Sequence, residues 1–279
     1  MTNFGNPYFE VEFVDHEDRL MLRVWDNTNV FNEIRNLQEG EFVEVSGEFS
    51  NNPRFGIEGT NWSVRRLEES ERKEFLVGSE DKVKGISEDF KFIEGEVKKI
   101  RDPRYRELAT KFLENYGEEF RRAAAAHSVH HAYRGGLVEH VAHVMKAARR
   151  LLEEYRWLNS DLLITGILFH DCGKIVECCP RKEELRISQN LVGELLGHIS
   201  IGIEIVNRLW KELKLDEYKD VSPNNHLARV YLLHLIASHH GALEYGSPVM
   251  PKIPEAYVLH YLDNMDAKLE IFREIHERE

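Results

Sequence analysis

An apolar helical segment that ends in two adjacent polar residues, His170 and Asp171, constrains the fold more than any other feature of this sequence. The stretch DLLITGILF precedes the pair, Ser160 stands at the position of an N-cap, and Gly173 predicts a turn after it. A helix this apolar is typically buried. An imidazole and a carboxylate at its buried end need polar partners, because an unpaired polar group in a protein interior is costly. We therefore expect other parts of the chain to supply groups that meet this pair.

Three other segments with helical periodicity bring histidines towards the same interior. Their apolar residues recur at spacings of three and four and define three helix faces: Leu137, Val141, Val144, Ala148 and Leu151; Ile201, Ile205 and Leu209; and Leu232, Leu235 and Ile236. His140 lies at the margin of the first face, His198 begins the second segment, and His239 shares the third face. Four helices, including the one that ends at His170, thus each direct a polar group towards one interior.

The residue types at these positions are those of a transition-metal site. Imidazole nitrogen and carboxylate oxygen are ligands for Mn, Fe, Co, Ni and Zn, and a carboxylate can bridge two ions through its two oxygens. The candidate ligands are His140, His170, Asp171, His198, His239, His240 and Asp263. We expect divalent transition-metal ions here, with Asp171 as a bridge between two of them.

Two of these positions leave a choice between neighbouring residues. Adjacent residues on a helix are about 100° apart, so His239 and His240 need not bind the same ion, and the apolar spacing favours His239. Asp263 and Asp266 lie on one predicted helix, whose apolar face is closer to Asp266. From the residues alone, both choices stay open.

The order of these residues along the helices, H, HD, H, H, D, resembles the HD-domain superfamily of metal-dependent phosphohydrolases. Longer stretches, read together with a barrel-like segment upstream, are similar to the YhaM-type 3′-to-5′ exoribonucleases. These stretches are HHAYRGGLVEH, LFHDCGK, LLGHISIG, SHHGALEYGSP and LHYLDNMDAK. Together they fall within roughly residues 124–272, and jointly they are more specific than any one of them alone.

The resemblance implies a role for each candidate residue. One ion is held by His140, His170, Asp171 and Asp263, with Asp266 outside the ligand set. Asp171 bridges this ion to a second one, which is also held by His198 and by His239 or His240. Asp171 and Lys174 are the catalytic residues, and Lys174 faces the substrate phosphate. His131 and Arg134 form a substrate clamp in which the guanidinium binds a phosphate. Mn is the first choice among the metals.

The function implied is hydrolysis by a metal-activated water, in which two ions roughly 4 Å apart lower the pKa of that water. The substrate implied is single-stranded RNA, with single-stranded DNA as the second choice, degraded from its 3′ end. One alternative is an HD phosphohydrolase of nucleotides or cyclic dinucleotides; SHHGALEYGSP resembles the HD-GYP phosphodiesterases, but the GYP tripeptide is absent. The other alternative is a nucleic-acid-binding or assembly protein whose metal site is vestigial.

The N-terminal 67 residues differ from the rest of the chain in their predicted secondary structure: short strands with alternating apolar residues are separated by polar turns. Their order resembles an OB-fold barrel that lacks its first strand, an edge that a neighbouring subunit of a homo-oligomer could supply. Residues 1–70 contain six arginines, no lysine and fourteen acidic residues, a net charge of −8 against −12 for the whole chain. Such a surface repels a polyanion, so RNA binding and a role in assembly both stay open for this region.

The sequence thus predicts an α+β multidomain protein: an OB-like β domain at residues 1–67, a charged helical connector at 68–123, and an all-α HD catalytic domain at 124–279. Three cysteines without a disulfide pattern indicate a reducing compartment. The N-terminus has neither the basic region nor the apolar region of a signal peptide, and no apolar run predicts a membrane span. We therefore expect a cytoplasmic protein that does not bind membranes.

Overall fold

Two compact units make up the part of the chain that the structure describes. In this computed structural model, the described residues are 8–15, 19–52, 56–125, 133–180, 184 and 190–277. One unit contains the described residues up to Ser79 together with Glu184, and the other contains the remainder, beginning at Glu80.

The N-terminal unit contains four strands in two antiparallel pairs. β1 (Tyr8–Val14) pairs with β2 (Arg19–Trp25), and β3 (Val43–Asn52) pairs with β4 (Gly56–Arg66). The short helix α1 (Phe31–Arg35) follows β2, and α2 (Glu69–Val77) follows β4; a bulge between Ser46 and Glu48 interrupts the longer pair.

The predicted barrel is not confirmed, because the described strands form two separate two-stranded sheets instead of one closed sheet. A small core joins them, in which Val24 of β2 and Val64 of β4 meet Val30 and Ile34. Four strands with so few buried residues do not provide the continuous pairing that closes a barrel. The order of a β region followed by a mostly helical region agrees with the prediction.

The helical unit contains eight α-helices in the described residues. They are α3 (Glu80–Lys98), α4 (Pro103–Arg122), α5 (Gly136–Glu154), α6 (Ser160–Phe169), α7 (Lys174–Glu177), α8 (Leu191–Lys211), α9 (Asn225–Ser238) and α10 (Pro254–Glu277). Phe90 and Ile93 of α3 and Leu108 and Phe112 of α4 lie in the same core as the other helices. The predicted connector at 68–123 thus contributes two helices to this core.

Helix α6 lies at the centre of this core, since every residue from Leu162 to Phe169 is buried. Its N-cap is Asn159, whose side chain accepts a hydrogen bond from the Leu162 backbone N–H at 3.0 Å, so the expected cap at Ser160 is wrong by one residue. The carboxylate of Asp161 accepts hydrogen bonds from the backbone of residues 101 and 102, which fixes the start of α6 against the start of α4. None of the described helices has both the length and the apolar character that a membrane span requires.

Candidate metal centre

The C-terminal end of α6 delivers His170 and Asp171 to the interior of the helical unit. Both residues are almost completely buried, with exposed fractions of 0% and 2%. The Nδ1 atom of His170 is 2.8 Å from the Ile167 carbonyl oxygen, so this nitrogen donates and the Nε2 atom is directed away from α6. The polar pair at the end of the apolar helix therefore faces other side chains.

The first group that it meets is here called the carboxylate cluster and consists of His140 from α5, His170 and Asp263 from α10. The Nε2 atom of His140 is 3.2 Å from the Nε2 atom of His170 and 3.3 Å from Oδ1 of Asp263. The same Asp263 oxygen is 3.8 Å from Nε2 of His170. Three potential ligand atoms from three helices thus surround one small volume.

The second group is here called the histidine cluster and consists of His198 from α8 with His239 and His240, which follow α9. Each residue of this cluster offers a ligand nitrogen, and these nitrogens all lie within 4.8 Å of one another. The imidazole rings of His239 and His240 are 4.3 Å apart between centroids, and those of His198 and His240 are 5.1 Å apart. The structure brings both members of the His239 and His240 pair to the same cluster.

Asp171 lies between the two clusters and presents a different oxygen to each. Its Oδ2 atom is 3.3 Å from Nε2 of His170 and 3.9 Å from Nε2 of His140. Its Oδ1 atom is 3.5 Å from Nε2 of His198 and 3.6 Å from Nε2 of His239. This is the arrangement of a carboxylate that can contact two ions at once.

Three buried atoms around the histidine cluster have no hydrogen-bond partner among the described residues: Oδ1 of Asp171, Nε2 of His198 and Nε2 of His239. A buried polar atom without a partner costs about 1–3 kcal/mol, and such atoms are rare in native proteins. Their convergence on one point indicates that a positively charged group belongs there.

The Nδ1 atoms of the five histidines contact hydrogen-bond acceptors outside the two clusters. Nδ1 of His140 is 2.7 Å from Oδ2 of Asp266, and Nδ1 of His198 is 3.0 Å from Oε2 of Glu177. The Nδ1 atoms of the other histidines meet backbone carbonyl oxygens: His170 that of Ile167, His239 that of Ile236 at 2.7 Å, and His240 that of Tyr245 at 2.8 Å. Each ring is thereby fixed in orientation by an atom that is not a candidate ligand.

Burial and neighbouring charges shift the pKa values of these residues in opposite directions. Burial lowers the pKa of His140, but the carboxylates of Asp263 and Asp266 outweigh it and raise that pKa to about 10. Burial raises the pKa of Asp171, yet the charges of Lys174 and His170 hold it well below its usual range. In the histidine cluster, burial lowers the pKa of His239 and His240, which favours the neutral imidazole, the form that binds metals.

Two glycines permit the backbone path around His198. Gly197 has φ of +67° and breaks α8 one residue before the histidine, a conformation that side chains other than glycine rarely adopt. Gly173 lies so close to α8 that an added Cβ atom would be 2.0 Å from the carbonyl oxygen of His198. The chain after Asp171 is therefore packed directly on the backbone that carries His198.

The proposed substrate residues have different surroundings. Lys174 is mostly buried, and its Nζ atom lies 2.6 Å from Oδ2 of Asp171. Arg134 is half-buried just before α5, and its pKa is lowered by burial and by the neighbouring charge of Arg122. His131 lies outside the described residues. Among the described residues, Lys174 is in contact with a candidate ligand, Asp171.

Sequence reasoning missed Glu177, which contacts the ring of His198. Its only signal was its spacing, because residues three apart on a helix share a face and Glu177 is three residues after Lys174. Asp266, the alternative to Asp263 in the sequence, contacts the outer nitrogen of His140, and its other oxygen is 3.5 Å from Nδ1 of His143.

Comparison with known proteins identifies the helical region. Residues 137–268 match the family model of the HD domain, a range that includes every candidate ligand from His140 to Asp263. No solved structure matches the chain. The match supports the HD-domain superfamily that the sequence predicts for this region.

Proposed function

We propose that this protein is a metal-dependent phosphodiesterase that holds two divalent ions and degrades single-stranded RNA from its 3′ end. The observation that carries the two-ion proposal is the position of Asp171, whose two oxygens face two separate clusters. The HD domain supports phosphate-ester hydrolysis as the reaction class.

The residues present fit two transition-metal ions. Ligand atoms that are each about 2.1 Å from one ion lie roughly 3 to 3.5 Å from one another. In the carboxylate cluster, His140 Nε2 lies 3.2 Å from His170 Nε2 and 3.3 Å from Asp263 Oδ1. In the histidine cluster, the unpaired Oδ1 of Asp171 is 3.5 and 3.6 Å from two unpaired imidazole nitrogens. Imidazole and carboxylate ligands suit Mn, Fe, Co, Ni and Zn, and we expect Mn to support activity.

When bound, two such ions lower the pKa of an attacking water and stabilise the attacking and leaving oxygens of the phosphate ester. The protein supplies the fixed geometry. Asp171 would hold both ions at once, Asp263 would complete the carboxylate cluster, and Asp266 would keep the ring of His140 in place from the opposite nitrogen.

Lys174 would bind the phosphate of the substrate. Its ammonium group is 2.6 Å from Asp171 and therefore lies at the edge of the proposed two-ion site. Burial lowers its pKa, but the carboxylate of Asp171 outweighs burial and raises that pKa, so Lys174 stays positively charged. A cation at this position can neutralise part of the phosphate charge during the reaction.

The choice of a 3′-to-5′ exonuclease is supported by the sequence stretches shared with the YhaM-type enzymes, which extend on both sides of the ligand residues. In this proposal Arg134 and His131, which precede α5, bind a backbone phosphate of the substrate. Single-stranded DNA is the second polymer to be tested.

Charge favours a second candidate, the hydrolysis of nucleotides or cyclic dinucleotides. Residues 1–70 have a net charge of −8, and a nucleic acid polymer would be repelled by this region more than a small phosphodiester would be. This candidate uses the same two clusters and differs only in the substrate.

The test uses one oligoribonucleotide labelled at its 5′ end and, separately, at its 3′ end, incubated with protein and Mn. We expect the 5′ label to report stepwise shortening and the 3′ label to appear at once as a mononucleotide. A cyclic dinucleotide and bis-p-nitrophenyl phosphate are assayed in parallel, with Asp171→Asn as the inactive control.

Cleavage of the small substrates without shortening of the oligonucleotide would contradict the exonuclease and support the second candidate. Cuts inside the oligonucleotide would contradict an exonuclease of either direction, 3′ to 5′ or 5′ to 3′. If the wild-type protein binds Mn but cleaves none of these substrates, the proposed phosphodiesterase activity is wrong.

A further inference from the structure

We propose that Glu177 is a positioning residue that orients His198 towards the ion of the histidine cluster and strengthens the binding of that ion. The inference rests on the proposed two-ion site and adds a residue to it. Glu177 is not a ligand in this proposal, because it contacts the outer nitrogen of the ring, on the side away from Asp171.

The contact is short and largely shielded from water. Oε2 of Glu177 is 3.0 Å from Nδ1 of His198, and the two side chains are 17% and 14% exposed. The Nε2 atom of the same ring is buried and 3.5 Å from Oδ1 of Asp171. With a proton on Nδ1 donated to the carboxylate, the Nε2 lone pair is directed at the histidine cluster.

The short helix α7 connects this contact with the bridging carboxylate. Lys174, at its start, binds Asp171, and Glu177, at its end, binds His198. The N-cap residue of α8 holds α7 in place, because the side-chain amide of Asn190 donates to the Val176 carbonyl oxygen at 2.8 Å. A Cβ atom added at Gly193 would be 2.9 Å from Cα of Glu177, so the two segments are in direct backbone contact. Glu177 thus starts from a fixed backbone position.

The other histidines show why this partner matters. In the described structure, His170, His239 and His240 donate to backbone carbonyl oxygens, whereas His140 and His198 face carboxylates. Each cluster therefore contains one histidine with a carboxylate behind it, Asp266 for the carboxylate cluster and Glu177 for the histidine cluster. A carboxylate acceptor makes the imidazole a stronger ligand than a carbonyl does, and loss of such a partner typically weakens metal binding about 10- to 100-fold.

In the experiment, the metal-free full-length protein is titrated with Mn, and calorimetry and electron paramagnetic resonance measure the binding. The variants are Glu177→Gln, Glu177→Ala and Asp266→Asn, with Glu194→Gln on the exposed side of α8 as the matched control. Circular dichroism establishes that each variant is folded. The spectrum separates protein with two coupled ions from protein with one isolated ion.

We expect the wild type to bind two ions with coupled spectra. Glu177→Ala should weaken one class of site about 10- to 100-fold, so that the isolated-ion spectrum persists to higher Mn concentration. Glu177→Gln keeps a neutral acceptor for Nδ1 and should fall between the wild type and Glu177→Ala. Asp266→Asn should weaken mainly the other class, and Glu194→Gln should behave as the wild type.

The proposal is overturned if Glu177→Ala binds both ions with wild-type affinity, or if Glu177→Ala and Asp266→Asn weaken the same class of site. These outcomes differ from failure of the proposed two-ion function, which would be seen in the wild type itself as fewer than two bound Mn ions.

Discussion

The carboxylate cluster and the histidine cluster share Asp171 but differ in charge. Asp263 contributes a second carboxylate to the first, whereas the histidine cluster consists of three imidazoles in the described structure. An ion at the carboxylate cluster would face two carboxylates, Asp171 and Asp263, whereas an ion at the histidine cluster would face Asp171 alone and three imidazoles. We therefore infer that the ion of the carboxylate cluster binds more tightly.

The two clusters also differ in how the backbone carries them. In the carboxylate cluster, His140 and Asp263 lie within the long helices α5 and α10, while His170 is the C-cap of α6. By contrast, His198 follows the break of α8 at Gly197, and His239 and His240 lie where α9 ends. Ligands in regular helices are held by many backbone hydrogen bonds, so the histidine cluster should respond more strongly to changes in local backbone packing.

Asp171→Ala should have the largest effect, because it removes a ligand from both clusters. We expect the rate to fall by at least about 10³-fold, equivalent to roughly 4 kcal/mol of transition-state stabilisation. Calorimetry with Mn should show that binding to both clusters is weakened. Retained turnover in a folded Asp171→Ala protein would contradict the shared bridge.

His140→Ala and His198→Ala separate the two clusters. His198→Ala should keep one tightly bound ion. His140→Ala should weaken the binding of that ion by about 100-fold or more. Both variants should turn over substrate more slowly, by a factor on the order of 10². Mn titrations and metal content per chain measure the difference. The inferred order of affinities is wrong if His198→Ala removes the tight ion and His140→Ala does not.

Gly173→Ala tests the dependence of the histidine cluster on backbone packing. The new methyl group would collide with the carbonyl of His198, at 2.0 Å before any shift. We expect a loss of about 1–3 kcal/mol in the free energy of unfolding and weaker binding of the second ion, with less effect on the first.

Gly95→Ala in α3 is the matched control, since a Cβ atom at that position meets nothing within 4 Å. It should stabilise the helix by roughly 0.5–1 kcal/mol and leave Mn binding unchanged. Equal weakening of both ions by Gly173→Ala, measured by calorimetry, would count against the difference between the clusters.

Lys174→Gln should have the smallest effect and should act on the substrate. We expect KM to rise about tenfold, roughly 1.4 kcal/mol, because a phosphate contact is lost. Mn affinity should increase modestly, because a cation 2.6 Å from Oδ2 of Asp171 no longer competes. Steady-state kinetics and calorimetry measure the two effects, with the exposed Lys211→Gln as the control; an unchanged KM would contradict the role in phosphate binding.

Apolar periodicity in the sequence predicts helices and a direction for several polar side chains. The apolar spacing placed His140, His198 and His239 on or beside buried faces, and the structure brings them together around Asp171. Periodicity does not specify which ring nitrogen faces inwards or what lies behind the ring. Glu177 was therefore missed, because its contact with His198 depends on how α7 packs against α8.

A local sequence pattern does not decide between neighbouring N-cap residues or between alternative strand pairings. Asn159 and Ser160 are both favourable N-caps, and the structure uses Asn159. In the N-terminal unit, alternation predicted strands correctly, but pairing between strands is a tertiary property, and the described strands form two pairs instead of a barrel.

Two helices, α6 and α9, end at the candidate metal centre, at His170 and His239. The peptide dipoles of a helix add up to a partial negative charge at its C-terminus, which stabilises nearby cations by about 0.3–1 kcal/mol, and by up to about 2 kcal/mol where the site is partly buried. Both helices therefore contribute an attraction for positive ions that is independent of any side chain. Part of the affinity for metal should persist when individual ligands are replaced, since it belongs to the backbone.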